Sequence, residues 1–185
     1  YPVPAIADKA FRNTKFNGEI TSITLPDSLK EIGDFAFFSC FKLEDINLPD
    51  GLTKIGYQAF QNCYSLTEIT IPSSVTTMGS HVFNRCTGLK EVTFEKNSQL
   101  SALPDATFAN CISLESFTLP NGFASIGKNA FYKCGKLTTL NISDDVTEIK
   151  KDAFIDCAKF NTIKYDGTKY SWNALLKSGS IDNTV

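Results

Sequence analysis

The sequence has little of what most enzymes and nucleic-acid-binding proteins depend on. It contains one histidine, one tryptophan and one methionine in 185 residues. A single histidine, His81, rules out a multi-histidine metal site. Eighteen Lys and Arg against 20 Asp and Glu give a net charge of −2, which excludes the basic surface typical of proteins that bind nucleic acid. No stretch approaches about 18 consecutive apolar residues, so no membrane-spanning helix is predicted.

Motifs of catalysis are missing as well. The sequence has no Gly-rich phosphate loop and no zinc-protease motif. His81 lies beside Val82, at the position that Gln58 holds 23 residues earlier, and we interpret it as a plain surface residue. The sequence therefore predicts a protein that is not an enzyme, with no catalytic residues, no cofactor and no metal centre.

Length and composition are those of one folded domain. Hydrophobic residues make up 42% and charged residues 21%, which excludes a disordered chain. The chain opens with Tyr1-Pro2-Val3-Pro4, without an initiator methionine or a signal-like apolar run. We expect a mature or trimmed fragment, so the missing leader leaves the destination of the protein open.

The sequence is rich in phenylalanine, with 15 residues, and seven of these recur at a nearly fixed interval. An interval of about 23 residues over nearly the whole chain is typical of a solenoid, in which each repeat buries its apolar side chains against its neighbours. These phenylalanines are predicted to form one continuous internal column. An Ala-Phe pair or a close variant occurs at steps of 26, 23, 23, 25, 23 and 23 residues, in Ala10-Phe11, Ala36-Phe37, Ala59-Phe60, Val82-Phe83, Thr107-Phe108, Ala130-Phe131 and Ala153-Phe154.

The repeat over residues 55–77 shows the local pattern. Alternation in Leu66-x-x-Ile69-x-Ile71 predicts a short strand with one buried face, and Pro72 ends it because proline cannot donate to a continuing ladder. Apolar residues at three-residue spacing in Ala59-Phe60-x-x-Cys63 predict a single helical or 3-10 turn, and Gly56 predicts a backbone turn before it.

Two insertions interrupt the period. Three extra residues fall within 14–18, and two fall within 95–99, where the usual proline is also absent. Because insertions in solenoids map to loops on the rim, we expect both segments to bulge outwards.

The C-terminal end is predicted to differ from the repeats. Ser171 suits a helix N-cap and Gly179 suits the residue just past a helix end. Trp172, Leu175 and Leu176 are predicted to share one face of this short helix, which would cover the end of the apolar column. We expect a solenoid over residues 1–164 and a cap and tail over 165–185.

The repeat pattern resembles a known family. Ile-Gly-x-x-Ala-Phe-x-x-Cys-x-x-Leu-x-x-Ile-x-Ile-Pro-x-x-Val, read over residues 55–75, is similar to the BspA-type leucine-rich repeat, and the resemblance extends over about residues 6–172. It implies a right-handed, β-rich leucine-rich-repeat solenoid of about seven repeats, with short helical or 3-10 turns. It also implies an extracellular, cell-surface or secreted protein of bacteria or protists, a family in which some members adhere to fibronectin and fibrinogen.

Six cysteines occupy one position of the repeat: Cys40, Cys63, Cys86, Cys111, Cys134 and Cys157. Their even spacing and the absence of Cys-x-x-Cys favour a ladder of buried free thiols over a disulfide framework or a metal site. Stacked neighbours about 5 Å apart leave a disulfide between adjacent repeats geometrically possible. Thr14 holds the equivalent position in the first repeat.

The outward side of the predicted strands is the candidate binding surface. Asp45, Glu68 and Glu91 fall in line there, with Glu44 beside Asp45. Stacked like charges are mildly destabilising, which favours a basic partner or a bound cation, although polar residues that simply solvate a sheet remain an alternative. This face carries no aromatic residue apart from Tyr165 at its end, which argues against sugar stacking.

The repeat architecture and the family resemblance together imply a cell-surface or secreted module for protein binding or adhesion. Its partner would be a host extracellular matrix protein or another surface protein, and we expect the chain to be monomeric. The alternative is a structural spacer that displays other domains and has no ligand of its own.

Overall fold

The computed structural model describes residues 4–12 and 18–177, which form a solenoid. Each turn of the solenoid, here called a coil, contains one phenylalanine of the predicted column, and the coils are numbered one to seven from Phe11 to Phe154. One side carries strands of three to five residues: β2 Ser22–Thr24, β4 Asp45–Asn47, β6 Glu68–Ile71, β8 Glu91–Phe94, β10 Ser116–Thr118, β12 Thr139–Ser143 and β14 Thr162–Asp166. Another side carries two-residue strands: β1 Ala5–Ile6, β3 Glu31–Ile32, β5 Lys54–Ile55, β7 Thr77–Met78, β9 Ala102–Leu103, β11 Ser125–Ile126 and β13 Glu148–Ile149.

Equivalent strands of successive coils pair in parallel. The register preserves the repeat, since Ile32 pairs with Ile55 and Ile55 pairs with Met78. The short strands form the sheets β1-β3-β5-β7 and β9-β11-β13, and the long strands form β2-β4, β6-β8 and β10-β12-β14. Both ladders break between coils four and five, where the insertion at 95–99 lengthens the repeat, and the long-strand ladder also breaks between β4 and β6.

The phenylalanine column forms as predicted. Phe37, Phe60 and Phe83 have no exposed surface, and their ring centroids lie 5.1 and 5.4 Å apart in near-parallel stacks. The stack begins with Phe11 against Phe37 at 5.0 Å and ends with Phe160 against Phe154 at 4.5 Å. Each ring fills the space between its two neighbours, so the column couples every coil to the next.

The turn that carries each phenylalanine departs from the predicted helical or 3-10 path. It keeps hydrogen bonds of the i→i−3 type, such as the one from the Ala59 amide to the Gly56 carbonyl at 3.3 Å. Left-handed residues at Gln58 (φ 53°) and Asn62 (φ 65°) break the helical path into tandem β-turns. The Phe37 amide is thereby free to donate to the Ala59 carbonyl of the next coil at 2.8 Å. The turn thus makes backbone hydrogen bonds both within its own coil and to the next coil.

Gly56 is required for a different reason from the one predicted. A Cβ on Gly56 would lie 2.5 Å from the backbone nitrogen of Asp34 and 2.5 Å from the carbonyl carbon of Gly33. The coils approach one another too closely here for any side chain. Beside this contact, the Asp34 carboxylate accepts a hydrogen bond from the Tyr57 amide at 2.7 Å, which adds a side-chain link between coils.

The terminal helix α1, Lys169–Lys177, begins earlier than predicted. Thr168 is the N-cap, since its Oγ1 accepts a hydrogen bond from the Ser171 amide and Ser171 Oγ accepts one from the Thr168 amide, both at 3.1 Å. Leu175 is buried at 2% exposure, but Leu176 is 43% exposed, so the predicted apolar face is narrower. Gly179 lies outside the described residues.

Of the two insertions, only the one at 95–99 lies fully within the described residues. Within residues 95–99, the Lys96, Asn97 and Gln99 side chains are exposed, as expected for an outward bulge. The Glu95 carboxylate ties the base of this bulge to the preceding coil by accepting a hydrogen bond from the Ser73 amide at 2.9 Å. Thr14 and the rest of residues 13–17 lie outside the described residues. Along the described ranges, no helix is long and apolar enough to span a bilayer.

Candidate functional site

The predicted acidic residues lie on the outer face of the long strands. Glu68 and Glu91 are direct partners in the β6-β8 register, and Asp45 has the same position on β4. All four side chains, including that of Glu44, are exposed. In the part of the chain that the structure describes, none of the four has a cation within 4.0 Å. The structure therefore brings these carboxylates into one column without neutralising them, and their role as a binding site remains a prediction.

A groove opens beside this column, and the sequence analysis did not foresee it. It has a volume of about 700 Å³ and lies where β8 and β10 fail to pair. Glu91 and Phe94 line one side, Ser116 and Thr118 line the other, and Asn97 of the inserted segment also contributes. The signal in the sequence was the missing proline and the two extra residues at 95–99.

The outward positions of the long strands carry no aromatic side chain, but Phe94 lies beside this face at the groove. Phe94 pairs in register with the buried Ile71 and packs edge to face against Phe117 and Phe123, yet it is only half-buried and also lines the groove. Tyr165 does not continue the outward column either. It pairs in register with Ile142, and its ring packs against Trp172 with centroids 5.2 Å apart.

A second group of exposed aromatic residues covers the turns of coils two and three. Phe41 and Tyr64, each 40% exposed, stack with their ring centroids 5.2 Å apart. Tyr57 is 38% exposed and meets Phe35 edge to face at 5.3 Å. We call this surface the aromatic corner, and it also includes Phe38, Arg12 and His81. The Arg12 guanidinium lies 4.7 and 4.5 Å from the centroids of the Phe35 and Phe38 rings.

The repeat supplies an internal control for the aromatic corner. Coil five has Ala106, Ala109 and Ile112 where coil two has Phe35, Phe38 and Phe41. Coil seven has Asp152, Ile155 and Ala158 at the same positions. The fold therefore does not require aromatic rings there. Phe35 also has φ of 57°, a backbone conformation that is unfavourable for a bulky residue.

His81 is not the plain surface residue that the sequence predicted. Its side chain is half-buried, and its ring packs edge to face against Tyr57 at 5.7 Å. Its Nδ1 atom is buried and has no hydrogen-bond partner among the described residues. The histidine thus belongs to the aromatic corner, and comparing it with Gln58 alone could not reveal this.

The cysteines form the predicted ladder of free thiols, with five buried and Cys157 half-buried. A feature that the sequence did not reveal is that the thiols donate hydrogen bonds to phenylalanine carbonyls one coil earlier. Cys63 bonds to the Phe37 carbonyl at 3.3 Å, and Cys86 bonds to the Phe60 carbonyl at 3.2 Å. Burial raises the pKa of the Cys86 thiol to about 12, so it stays protonated and remains a donor.

Cys157 should be the first cysteine to react with an alkylating agent. Its thiol is half-exposed, and a hydrogen bond from Cys134 lowers its pKa, whereas burial raises the pKa of Cys40 to about 11. Since the thiolate is the reactive form, limited iodoacetamide treatment at pH 8 should label Cys157 well before the others. Peptide mass mapping over time measures this order. If Cys157 and Cys86 were labelled at equal rates, Cys86 would not be buried in the thiol ladder as described.

Comparisons with known proteins agree with this architecture. A family model described as the BspA type leucine rich repeat region matches residues 4–102 and 97–183, with six copies. A leucine rich cell surface protein from Faecalibacterium prausnitzii A2-165 is 30% identical, with a TM-score of 0.69 over 94% of this chain. The chain spans about half of that protein's length, 54%. No curated protein matches the chain significantly.

Two more distant structures share the fold. The leucine rich repeat protein of T. pallidum is 23% identical, with a TM-score of 0.75 over 86% of this chain and 83% of its own. A leucine-rich repeat protein from Eubacterium ventriosum is 24% identical, with a TM-score of 0.70 over 82% of this chain and 44% of its own. With the repeat, the thiol ladder and the matched family model together, the chain belongs to the BspA-type leucine-rich repeat family.

Proposed function

We propose that this chain is a non-enzymatic protein-binding module of a cell-surface or secreted protein, and that coils two and three supply its recognition surface. The observation that carries the proposal is the aromatic corner. Phe41, Tyr57 and Tyr64 are exposed at positions where no other coil has an aromatic residue and where, apart from Ile112 in coil five, the residues are small or polar. Exposed aromatic residues, together with an arginine such as Arg12 over the Phe35 and Phe38 rings, are the composition typical of the energetic centre of a protein interface.

The acidic column begins on the same coils, extends to Glu91 of coil four, and fits the rim of such an interface. Asp45 follows Phe41 by four residues in coil two, and Glu68 follows Tyr64 by four residues in coil three. Unpaired surface carboxylates steer a partner of opposite charge and set its orientation more than they add affinity. We therefore expect a partner with an apolar patch flanked by basic residues.

Similarity to a surface protein supports the same proposal. The 30% identical neighbour from Faecalibacterium prausnitzii is described as a cell surface protein. A surface-exposed module of this kind would meet host extracellular matrix proteins or other surface proteins first. Host matrix proteins are therefore the first partners to test.

The test measures binding to immobilised fibrinogen and fibronectin by biolayer interferometry. A Phe41→Thr/Tyr64→Thr variant introduces the residue that Thr87 provides at this position in coil four. We expect binding roughly tenfold weaker or worse, as for loss of an interface centre. The matched control is Ile112→Thr, the same position in coil five, where the side chain is 49% exposed. Its binding should change by less than about twofold.

A second arm tests the acidic column. Glu68→Lys/Glu91→Lys should slow association and weaken its dependence on salt, because the column would no longer attract a basic rim. If the wild type, Phe41→Thr/Tyr64→Thr and Ile112→Thr all bound equally well, the aromatic corner would not be the recognition surface. No binding of the wild type to either matrix protein would leave the structural spacer as the better account.

A further inference from the structure

The thiol ladder is open to solvent at one end. Cys157 is half-buried, whereas the five earlier cysteines have no exposed surface: Cys40, Cys63, Cys86, Cys111 and Cys134. Coil seven is the last coil among the described residues, so no further coil in this part of the chain covers the outer side of Cys157. A small oxidant therefore reaches the ladder at Cys157 first, and the next thiol in line is that of Cys134.

The backbone holds these two cysteines at a separation suited to a disulfide. The Lys133 amide, next to Cys134, donates to the Ile155 carbonyl at 3.0 Å and so joins coil six to coil seven. The two column rings that lie three residues before the cysteines are 5.4 Å apart and within 6° of parallel. One coil spacing of about 5 Å falls within the range of about 4.4–6.8 Å between Cα atoms that a disulfide accepts.

The two thiols are also oriented alike and contact each other. Cys134 Sγ lies 3.1 Å from the Phe108 carbonyl oxygen, and Cys157 Sγ lies 2.9 Å from the Phe131 carbonyl oxygen. A hydrogen bond from the Cys134 thiol lowers the pKa of Cys157, and the same contact, together with burial, raises the pKa of Cys134. Cys157 is therefore the thiol that ionises and attacks an oxidant, and Cys134 is placed to resolve the product.

The earlier pairs of the ladder lack this freedom. A disulfide needs its Cβ atoms about 3.5–4.5 Å apart, so neighbouring coils spaced by about 5 Å must approach each other by about 1 Å at the cysteines. Coil seven stacks on another coil at one face only and can make that shift. Cys63 and Cys86 lie in coils that are stacked on both faces, and neither has any exposed surface.

We propose that Cys134 and Cys157 are an oxidisable dithiol, which a hydroperoxide converts into a disulfide that fastens coil seven to coil six. The Cys157 thiolate attacks one peroxide oxygen, the O–O bond breaks, and hydroxide leaves and takes up the proton that Cys157 released. The Cys134 sulfur then attacks the sulfur of the Cys157 sulfenic acid. The S–O bond breaks, and the hydroxyl group leaves as water with the Cys134 proton. Each cysteine loses one electron, and hydrogen peroxide is reduced to two molecules of water.

This modification site goes beyond the proposed protein-binding function. The dithiol lies in coils six and seven, whereas the aromatic corner covers the turns of coils two and three. The oxidised and reduced forms should therefore bind matrix proteins equally well, and the failure of either proposal leaves the other intact.

The experiment treats the reduced, folded chain with hydrogen peroxide at pH 8 and then counts free thiols after denaturation without reductant. The count should fall from six to four, and peptide mass mapping should find Cys134 joined to Cys157. Cys134→Ala should lose this cross-link and accumulate a Cys157 sulfenic acid that dimedone labels. The matched control is Cys111→Ala, the same position one coil earlier, which should form the cross-link as the wild type does.

A comparison with the unfolded chain keeps the test decisive even if Cys134→Ala fails to fold. The wild type oxidised in guanidinium should give mixed pairings, because the fold no longer aligns the two thiols. The proposal is overturned if all six thiols survive peroxide, if Cys157 of the folded wild type stops at the sulfenic acid, or if it pairs with another cysteine or a second chain. The same pairing in the folded and unfolded chains would overturn it as well.

Discussion

Replacing Phe60 with alanine is expected to lower the free energy of unfolding by about 3–5 kcal/mol, the usual cost of removing a buried aromatic ring. Phe60 has no exposed surface and stacks between Phe37 and Phe83. The cavity would lie in the middle of the column, where neither neighbouring ring can collapse without losing its own stack. Because coils in a solenoid contact only their neighbours, the variant should also unfold less cooperatively.

Guanidinium unfolding followed by circular dichroism measures both effects. The control is Ile112→Ala, at a side chain that is 49% exposed, and it should lose less than about 1 kcal/mol. The cooperativity change appears as a smaller dependence of the unfolding free energy on denaturant. A loss below about 1 kcal/mol for Phe60→Ala would mean that the column does not hold the coils together.

Alkaline pH should destabilise the protein sharply. Cys63, Cys86 and Cys111 are fully buried, and burial raises their pKa values above the ordinary 9.0. Above pH 9 the unfolded chain therefore loses thiol protons that the folded chain retains, so unfolding is favoured. Stability from these thiols is complete below pH 9 and falls by about 1.4 kcal/mol per pH unit for each thiol above it. Together the three should remove about 4 kcal/mol by pH 10.

The measurement is the free energy of unfolding between pH 7 and pH 10 under reducing conditions. A Cys63→Ala/Cys111→Ala variant is the comparison, because it removes two of the three thiols. The variant should be less stable at pH 7, having lost two hydrogen bonds to carbonyls, but its stability should fall less steeply above pH 9. Parallel pH profiles for the wild type and the variant would show that the thiols do not cause the alkaline loss.

Much of the core could be predicted because the repeat fixes it. The Phe-x-x-Cys spacing of Phe60 and Cys63 recurs in coils two to seven, so the burial of both residues followed from periodicity alone. The register of the strands followed for the same reason, since only a shift of one whole repeat keeps every apolar residue inside. Thr14, the exception in the cysteine position, lies outside the described residues.

Contacts between coils could not be predicted from one repeat. The space around Gly56 is limited by the backbone of Asp34 in the previous coil, and a sequence pattern does not encode that distance. The break between β8 and β10 depends on how two extra residues are accommodated, so the insertion was visible but the groove was not. The start of α1 at Lys169 was missed because both Thr168 and Ser171 are good capping residues.

The candidate site was the least predictable part. Glu68 and Glu91 were placed in line correctly, because the period sets their register. The aromatic corner was not predicted, although a comparison of equivalent outward positions in different coils, such as Phe41 with Ile112, would have revealed it. A residue that the core does not need and that costs backbone strain, as Phe35 does, is better explained by recognition than by packing.

The central claim is that buried repeat positions hold the fold while the aromatic residues of coils two and three are free to recognise a partner. The most direct test is to measure the unfolding free energy and the matrix-protein binding of the Phe41→Thr/Tyr64→Thr variant in parallel. We predict a stability within about 1 kcal/mol of the wild type, as for surface positions, together with a loss of binding. A fall in stability comparable to that of Phe60→Ala, or unchanged binding, would contradict the claim.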